Sequence, residues 1–316
     1  MVDKNNVGYE VDSSLLGEKL IFPSSKREAR NRFLKAAMSE KLCFFDKDNQ
    51  QISGIPTQRL INLYSKWAHG GFGMILTGNL MVDINHPECA GNTIIEKVLD
   101  SKERRDAFKK LADTMKSGGA LAIAQLSHAG RMTSITINEH PFSASDVQFK
   151  GKKNGQGFGV PIPLTEEQIR TEVIARFVYT AKFCQEAGGF RSVSGMINAI
   201  KDNVTDGIGM ARPSAAEPDL PNKILTQNIQ KAVLNPFEND HHLSLMAAQS
   251  QLWQGGEISY EETKNDLCFG IMNLSDPTVA ETYTNDLLKF ETDLVELAAT
   301  GSPIIDVFEY KIKAGA

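Results

Sequence analysis

From residue 31 to about 130, short apolar runs alternate with stretches in which apolar residues recur every three or four positions. That alternation predicts βα units on a parallel sheet. The first run covers residues 33–38. Thr57, just behind Pro56, opens a helix with Leu60, Ile61, Tyr64, Trp67 and Ala68 on one buried face, and Gly70-Gly71 ends it. A second strand is expected over 73–80. The helix from about Lys102 carries Ala107, Phe108, Leu111, Ala112 and Met115, closes at Gly118-Gly119, and leads to a third strand over 121–126. After a polar loop, Thr165 and Gln168 form a capping-box pattern ahead of a long helix with Ile169, Val173, Phe177, Ala181 and Cys184 on its stripe.

A fourth strand should follow that helix. Instead Gly188, Gly189, Phe190 and Arg191 lead directly into another helical stretch, with Met196, Ile197 and Ile200 on its apolar side. One more short apolar run occupies 204–212, and from about 222 the pattern is of helices and polar loops, including a helix over 276–299. This gives four clear strands and a fragment of a fifth. Residues 1–222 are expected to form the βα part and residues 223–316 a helical C-terminal extension.

Composition narrows the class. A chain of 316 residues that is 41% hydrophobic can bury a substantial core, which argues against disorder. With 34 basic and 39 acidic residues and no Lys/Arg run, nucleic acid is not an expected partner. The polar N-terminus lacks a signal-peptide core, and no run approaches the roughly 18 apolar residues of a membrane span, so a cytoplasmic protein without membrane association is expected. Cys43, Cys89, Cys184 and Cys268 are far apart, and His241 and His242 are adjacent rather than helically spaced. No metal site is expected.

Four segments carry candidate chemistry: 31–39 (Asn-Arg-Phe-Leu-Lys-Ala-Ala-Met-Ser), Thr77-Gly78-Asn79, 124–131 (Ala-Gln-Leu-Ser-His-Ala-Gly-Arg) and 206–213 (Asp-Gly-Ile-Gly-Met-Ala-Arg-Pro). Each ends a predicted strand, which in a β/α barrel is the ligand-binding face. Any single βα loop is rich in small residues for backbone reasons alone; four such strand ends in this order favour a binding face.

In these segments the chain resembles the old yellow enzyme family of NADH:flavin oxidoreductases, over roughly residues 20–225. The resemblance implies an FMN-binding TIM barrel in which Ala37, Met38 and Ser39 line the flavin ring and Gly78 and Asn79 make a second-strand contact. It makes Gln125 the amide that both donates to and accepts from the flavin pyrimidine, as a Gln side chain can. Gly188, Gly189 and Phe190 resemble the turn after the seventh strand. Ala211 and Arg212 resemble a Gly-Arg pair after the eighth that holds the phosphate, with alanine in place of the glycine. His128 and Arg131 belong to the Gln125 string, with a structural histidine and a loop-bracing arginine as the plainer readings.

The family's fourth strand, which supplies a substrate-binding His and His/Asn pair and a Tyr, has no counterpart here. None of the six histidines has a His or Asn three residues later followed by Gly-Tyr. The fifth-strand arginine beside flavin N1 is missing as well, so no catalytic residue is named. The fold expected is therefore α/β: an incomplete TIM barrel lacking about strands 4–6 and most of 7, joined near residues 187–188. The resemblance implies FMN as cofactor, NADH or NADPH as electron donor and a small-molecule acceptor such as an activated alkene, with reduced catalytic competence. The alternative is a non-catalytic truncated isoform, unstable or acting by association with itself or with full-length relatives. Another phosphate-binding barrel, an aldolase or isomerase, ranks last, because Lys35 precedes the strand end that an aldolase nucleophile would occupy.

Overall fold

The computed structural model describes residues 11–152, 156–180 and 205–312. After a small hairpin of Leu20–Ile21 with Glu28–Ala29, the strands that build the main sheet are β1 (Phe33–Lys35), β2 (Met74–Met81), β3 (Leu121–Ser127) and β4 (Ile208–Met210). Helices α1 (Gln58–His69) and α2 (Lys102–Lys116) are the crossovers between the first three strands. Each starts where its sequence says: the Thr57 hydroxyl accepts from the Leu60 N–H and the Ser101 hydroxyl from the Arg104 N–H. A composite helix α3 (166–180) and helices α4 (Arg212–Ala216), α5 (Leu220–Gln227), α6 (His241–Glu257) and α7 (Pro277–Ala298) follow.

The sheet runs β4-β1-β2-β3, every pair parallel. Thr93–Ile94 adds a short strand on Leu80 and Met81. Among the described residues β3 and β4 are the sheet's edges. Phe33, Leu34 and Lys35 face Ile208, Gly209 and Met210, so the first and last strands are direct neighbours. The first strand is shorter than its apolar run: the Ala36 N–H still reaches the Met210 carbonyl at 2.8 Å, and the chain then leaves the sheet. The run at 204–212 likewise yields only three strand residues.

β2 and β3 pair in two registers. Leu76 faces Ile123, yet Asn79 faces Gln125, so residues 77 and 78 oppose the single residue 124. This bulge rotates β2 by one position, and the ladder is patched by the Gln125 N–H donating to Thr77 Oγ1 at 2.9 Å.

The stripe expected on α3 is corrected by a similar insertion. Both halves of the Thr165/Gln168 capping box form, but Ile169–Ile174 is a π turn, which adds one residue to the helix and shifts every later position around it. The inward residues are therefore Arg176, bonded to Glu96, and Thr180, bonded to the Ile95 carbonyl. Ile169 is exposed, and Val173 and Phe177 are only half-buried. Ala181 and Cys184 lie outside the described residues.

One large core holds Phe33, Ile75 and Met210 of the sheet, Leu60, Tyr64 and Trp67 of α1, Leu220 and Ile224 of α5, and Ala248, Leu252 and Trp253 of α6. The segment beyond residue 222 thus packs into the same core as the strands. A second cluster joins Met246 of α6 to Tyr283 and Leu287 of α7 and to Tyr310. Near the C-terminal end, Asp306 makes a buried ion pair with Lys41 at 2.5 Å. No helix among the described residues is long and apolar enough to cross a membrane.

Candidate flavin site

The carboxyl ends of β1, β2 and β3 bring Ser39, Asn79 and Gln125 into one hydrogen-bonded row. Gln125 Nε2 donates to Asn79 Oδ1 at 3.0 Å, and Asn79 Nδ2 donates to Ser39 Oγ at 3.2 Å. The bulge at 77–78 is the cause, since a regular ladder would set Gly78, not Asn79, opposite Gln125. All three side chains are half-buried, as are Ala37 and Met38. The row ends on Gln125 Oε1, which accepts no hydrogen bond among the described residues.

Beneath the row lies a closed polar knot. Glu40 Oε1 accepts from the Gly78 N–H at 3.1 Å, from Lys35 Nζ at 3.2 Å and from the Tyr64 hydroxyl. Lys35 is fully buried over the Trp67 ring; burial lowers its pKa, and burial together with the Glu40 charge pushes Tyr64 well above the ordinary phenol range. The knot fastens residue 40 to residue 78 and so sets the spacing of Ser39 and Asn79. It also explains Gly78: a Cβ there would sit 2.0 Å from Glu40 Oε2 and 2.2 Å from the Met38 carbonyl oxygen. The glycine is needed for the close approach of two strands.

Ala211 and Arg212 stand on the other flank of β1, at the end of β4. The backbone at Ala211 has φ -98°, outside the left-handed region that favours glycine, so a positive φ is not what a glycine would supply here. Arg212 Nη1 donates to Ser244 Oγ of α6 at 3.0 Å, and the guanidinium has no acidic partner among the described residues. It opens on a cavity of about 190 Å³ that Pro213, Asn235, Gln251 and Met272 also line, smaller than the roughly 300 Å³ at which small-molecule pockets begin. Gly188, Gly189 and Phe190 lie outside the described residues. Arg131 braces its loop through the Val147 carbonyl at 3.1 Å.

Sequence reasoning missed a second cluster. Asp83, His86 and His128 present ligand-type atoms within 4.8 Å of one another, a set scattered over two strand ends and therefore without a spacing signature. Its hydrogen bonds favour a proton network over a metal centre. The Phe142 N–H donates to His86 Nε2 at 2.8 Å and the Gly130 N–H donates to His128 Nδ1 at 3.2 Å. Each ring thus holds its proton on the nitrogen facing Asp83, where a metal would need a lone pair. His86 Nδ1 lies 2.8 Å from Asp83 Oδ2, and Arg176 already supplies a cation at 3.5 Å from the same oxygen. Gln249, whose Nε2 donates to the Ser39 carbonyl at 3.0 Å, was also missed, because α6 carries no motif.

Parallel strands joined by helices make this an α/β protein, and polar side chains converge at the carboxyl ends of its strands, the end at which such folds place their ligand sites. The sequence model of the NADH:flavin oxidoreductase / NADH oxidase family matches residues 25–194, and the chain belongs to that family, whose members use FMN and reduced nicotinamides. Among curated relatives, the NADH-dependent flavin oxidoreductase nadA of Aspergillus parasiticus is 43% identical over 182 residues, covering 57% of this chain and 41% of that protein. The NADH oxidase of Thermoanaerobacter brockii is 33% identical over 156 residues, covering 48% and 21%. The chain therefore spans less than half the length of either. The old yellow enzyme homologue of Zymomonas mobilis superposes with a TM-score of 0.54 at 13% identity, over 69% of this chain and 94% of that one. Histamine dehydrogenase from Rhizobium sp. 4-9 superposes with 0.57 at 16% identity, over 77% and 50%. These likenesses concern the fold.

Proposed function

We propose that this chain binds FMN across the ends of β3, β2, β1 and β4, and that its hydride transfer from NADH or NADPH to an acceptor such as an activated alkene is slow. The observation that carries the reading is the row Ser39, Asn79, Gln125. A planar heterocycle edge that alternates donors and acceptors needs a matching edge, and the two amides and the hydroxyl supply one. Arg212 lies three strand spacings away from Gln125, roughly 14 Å at about 4.8 Å per strand, a separation suited to a ring at one end and a phosphate at the other. Among the described residues its charge has no acidic partner to cancel it. FMN, when bound, would accept the hydride and pass it on. The chain's own part is to hold the pyrimidine edge with Gln125 and Asn79, set the Ser39 hydroxyl beside the ring, and anchor the phosphate with Arg212 and the backbone at Ala211.

Slow turnover is expected from what the sequence lacks. The reading includes an incomplete barrel without strands 4–6 and most of 7, so the substrate His/Asn pair, the Tyr and the arginine beside N1 are not encoded. Loss of a positioned proton donor costs about a hundredfold or more. The test is the visible spectrum of the purified cytoplasmic-type protein titrated with FMN, followed by NADH oxidation. Saturable yellow colour with weak NADH oxidation supports the reading, and absence of any FMN binding refutes it.

A second reading, a non-catalytic chain acting through association with itself or with longer relatives, is favoured by a separate observation. Every residue of the edge strand β3 is only half-buried, and Ile174 and Val178 of α3 are exposed.

A further inference from the structure

Two of the polar groups that grip the proposed flavin surface from outside the strands come from α6, beyond the residues that the family model matches. Ser244 is fully buried and accepts two hydrogen bonds at Oγ, from Arg212 Nη1 at 3.0 Å and from Asn235 Nδ2 at 3.3 Å. Gln249, 5% exposed, donates to the Ser39 carbonyl at 3.0 Å. These two residues therefore touch the phosphate-side arginine and the ring-side strand end. The choice of a hydroxyl at Ser244 matters chemically. A carboxylate would orient the guanidinium equally well but neutralise it, whereas a hydroxyl fixes one Nη and leaves the full charge for an anion. Fixing a long side chain in advance lowers the entropy lost when a ligand binds.

We propose that α6 is part of the flavin site, with Ser244 and Gln249 as positioning residues that hold Arg212 and the Ser39 strand end ready for the cofactor. The proposal rests on the FMN reading. Ser244 acts on the phosphate end alone and Gln249 on the ring end, so their effects separate by ligand. In titrations of the 316-residue chain followed by flavin fluorescence, Ser244→Ala is expected to weaken FMN about tenfold, the loss of one charge-assisted hydrogen bond, and to leave riboflavin nearly unchanged. Ser244→Asp, which neutralises Arg212, should weaken FMN further, and Ser244→Thr should restore it. Gln249→Ala should weaken FMN and riboflavin alike and shift the bound flavin's absorption. A helix that served only as packing would lower thermal stability in these variants without separating the two ligands.

A measurement on the unmutated chain keeps the test open if a variant fails to fold. FMN should slow hydrogen exchange at the amides of residues 241–250, whereas riboflavin should slow it less. If the unmutated chain binds FMN but the variants bind both flavins as it does, or the α6 amides do not respond, the role of α6 is wrong and the FMN reading stands. If the unmutated chain binds neither flavin, the FMN reading fails and the proposal falls with it.

Discussion

Gln125 is the residue on which the flavin reading can be tried most directly. Its amide nitrogen donates to Asn79, and its carbonyl oxygen accepts no hydrogen bond among the described residues. Gln125→Ala is expected to weaken FMN by about 1–3 kcal/mol, the scale of a lost hydrogen bond with its partner left bare, and an unchanged titration would contradict the assignment. Arg212→Ala should weaken FMN more than riboflavin, since only FMN carries the phosphate; equal losses would remove the phosphate role. His128 makes a different prediction. Burial first, then the neighbouring His86, bring its pKa down from 6.5 to about 4, with Asp83 opposing and Arg176 assisting. Between those values the unfolded chain binds a proton that the folded chain refuses, so stability falls as pH falls through that window. At about 1.4 kcal/mol per pH unit the total is on the order of 3 kcal/mol. Urea midpoints measured from pH 7 to pH 4 should drop accordingly, and His128→Gln should flatten the slope. The strand-end residues were legible because their strings are local. Ser244, Gln249 and the meeting of His128 with Asp83 and His86 were not, because their partners lie in other elements and no spacing records them.

Among the elements, those with caps and a steady period read correctly: α1 and α2 start behind Thr57 and Ser101, and β2 and β3 lie within a residue of their apolar runs. Each single-residue insertion failed to show. The bulge at 77–78 and the π turn at Ile169–Ile174 both leave the pattern of residue types intact while rotating every position C-terminal to them in the same element. Backbone hydrogen bonding decides them, and hydropathy does not. Gly78→Ala tests the first. The new methyl meets Glu40 and the Met38 carbonyl, so the bulge must open or the strands part. The expected result is a loss of about 1–3 kcal/mol in thermal unfolding, together with weaker FMN binding. A variant as stable as the parent would show that the two strand ends are looser than described.

For the molecule as a whole, the C-terminal segment is bound into the main core. Asp306→Ala leaves the Lys41 ammonium buried without its carboxylate, and a loss of about 3–5 kcal/mol is expected in chemical denaturation. A loss below about 1 kcal/mol would mean that water reaches the site. The half-buried edge at β3 and the exposed Ile174 and Val178 bear on the proposed association. Sedimentation over a hundredfold range of concentration should show species larger than a monomer at the upper end, and a monomer throughout would end that reading.

The pairing of Phe33, Leu34 and Lys35 with Ile208, Gly209 and Met210 also sets a timetable for synthesis. On the ribosome, β1 emerges long before the strand that completes its flank is made, and at about 5–20 residues per second the interval is on the order of ten seconds or more. During that time an apolar strand has one open side. The contact is among the most distant in the sequence, so it belongs to the slow, late class of folding events. In pulse-labelled refolding, the amide of Ala36, which bonds Met210, should gain protection after the amides shared by β2 and β3. Chaperones that recognise extended apolar segments would find this one exposed through most of the protein's birth.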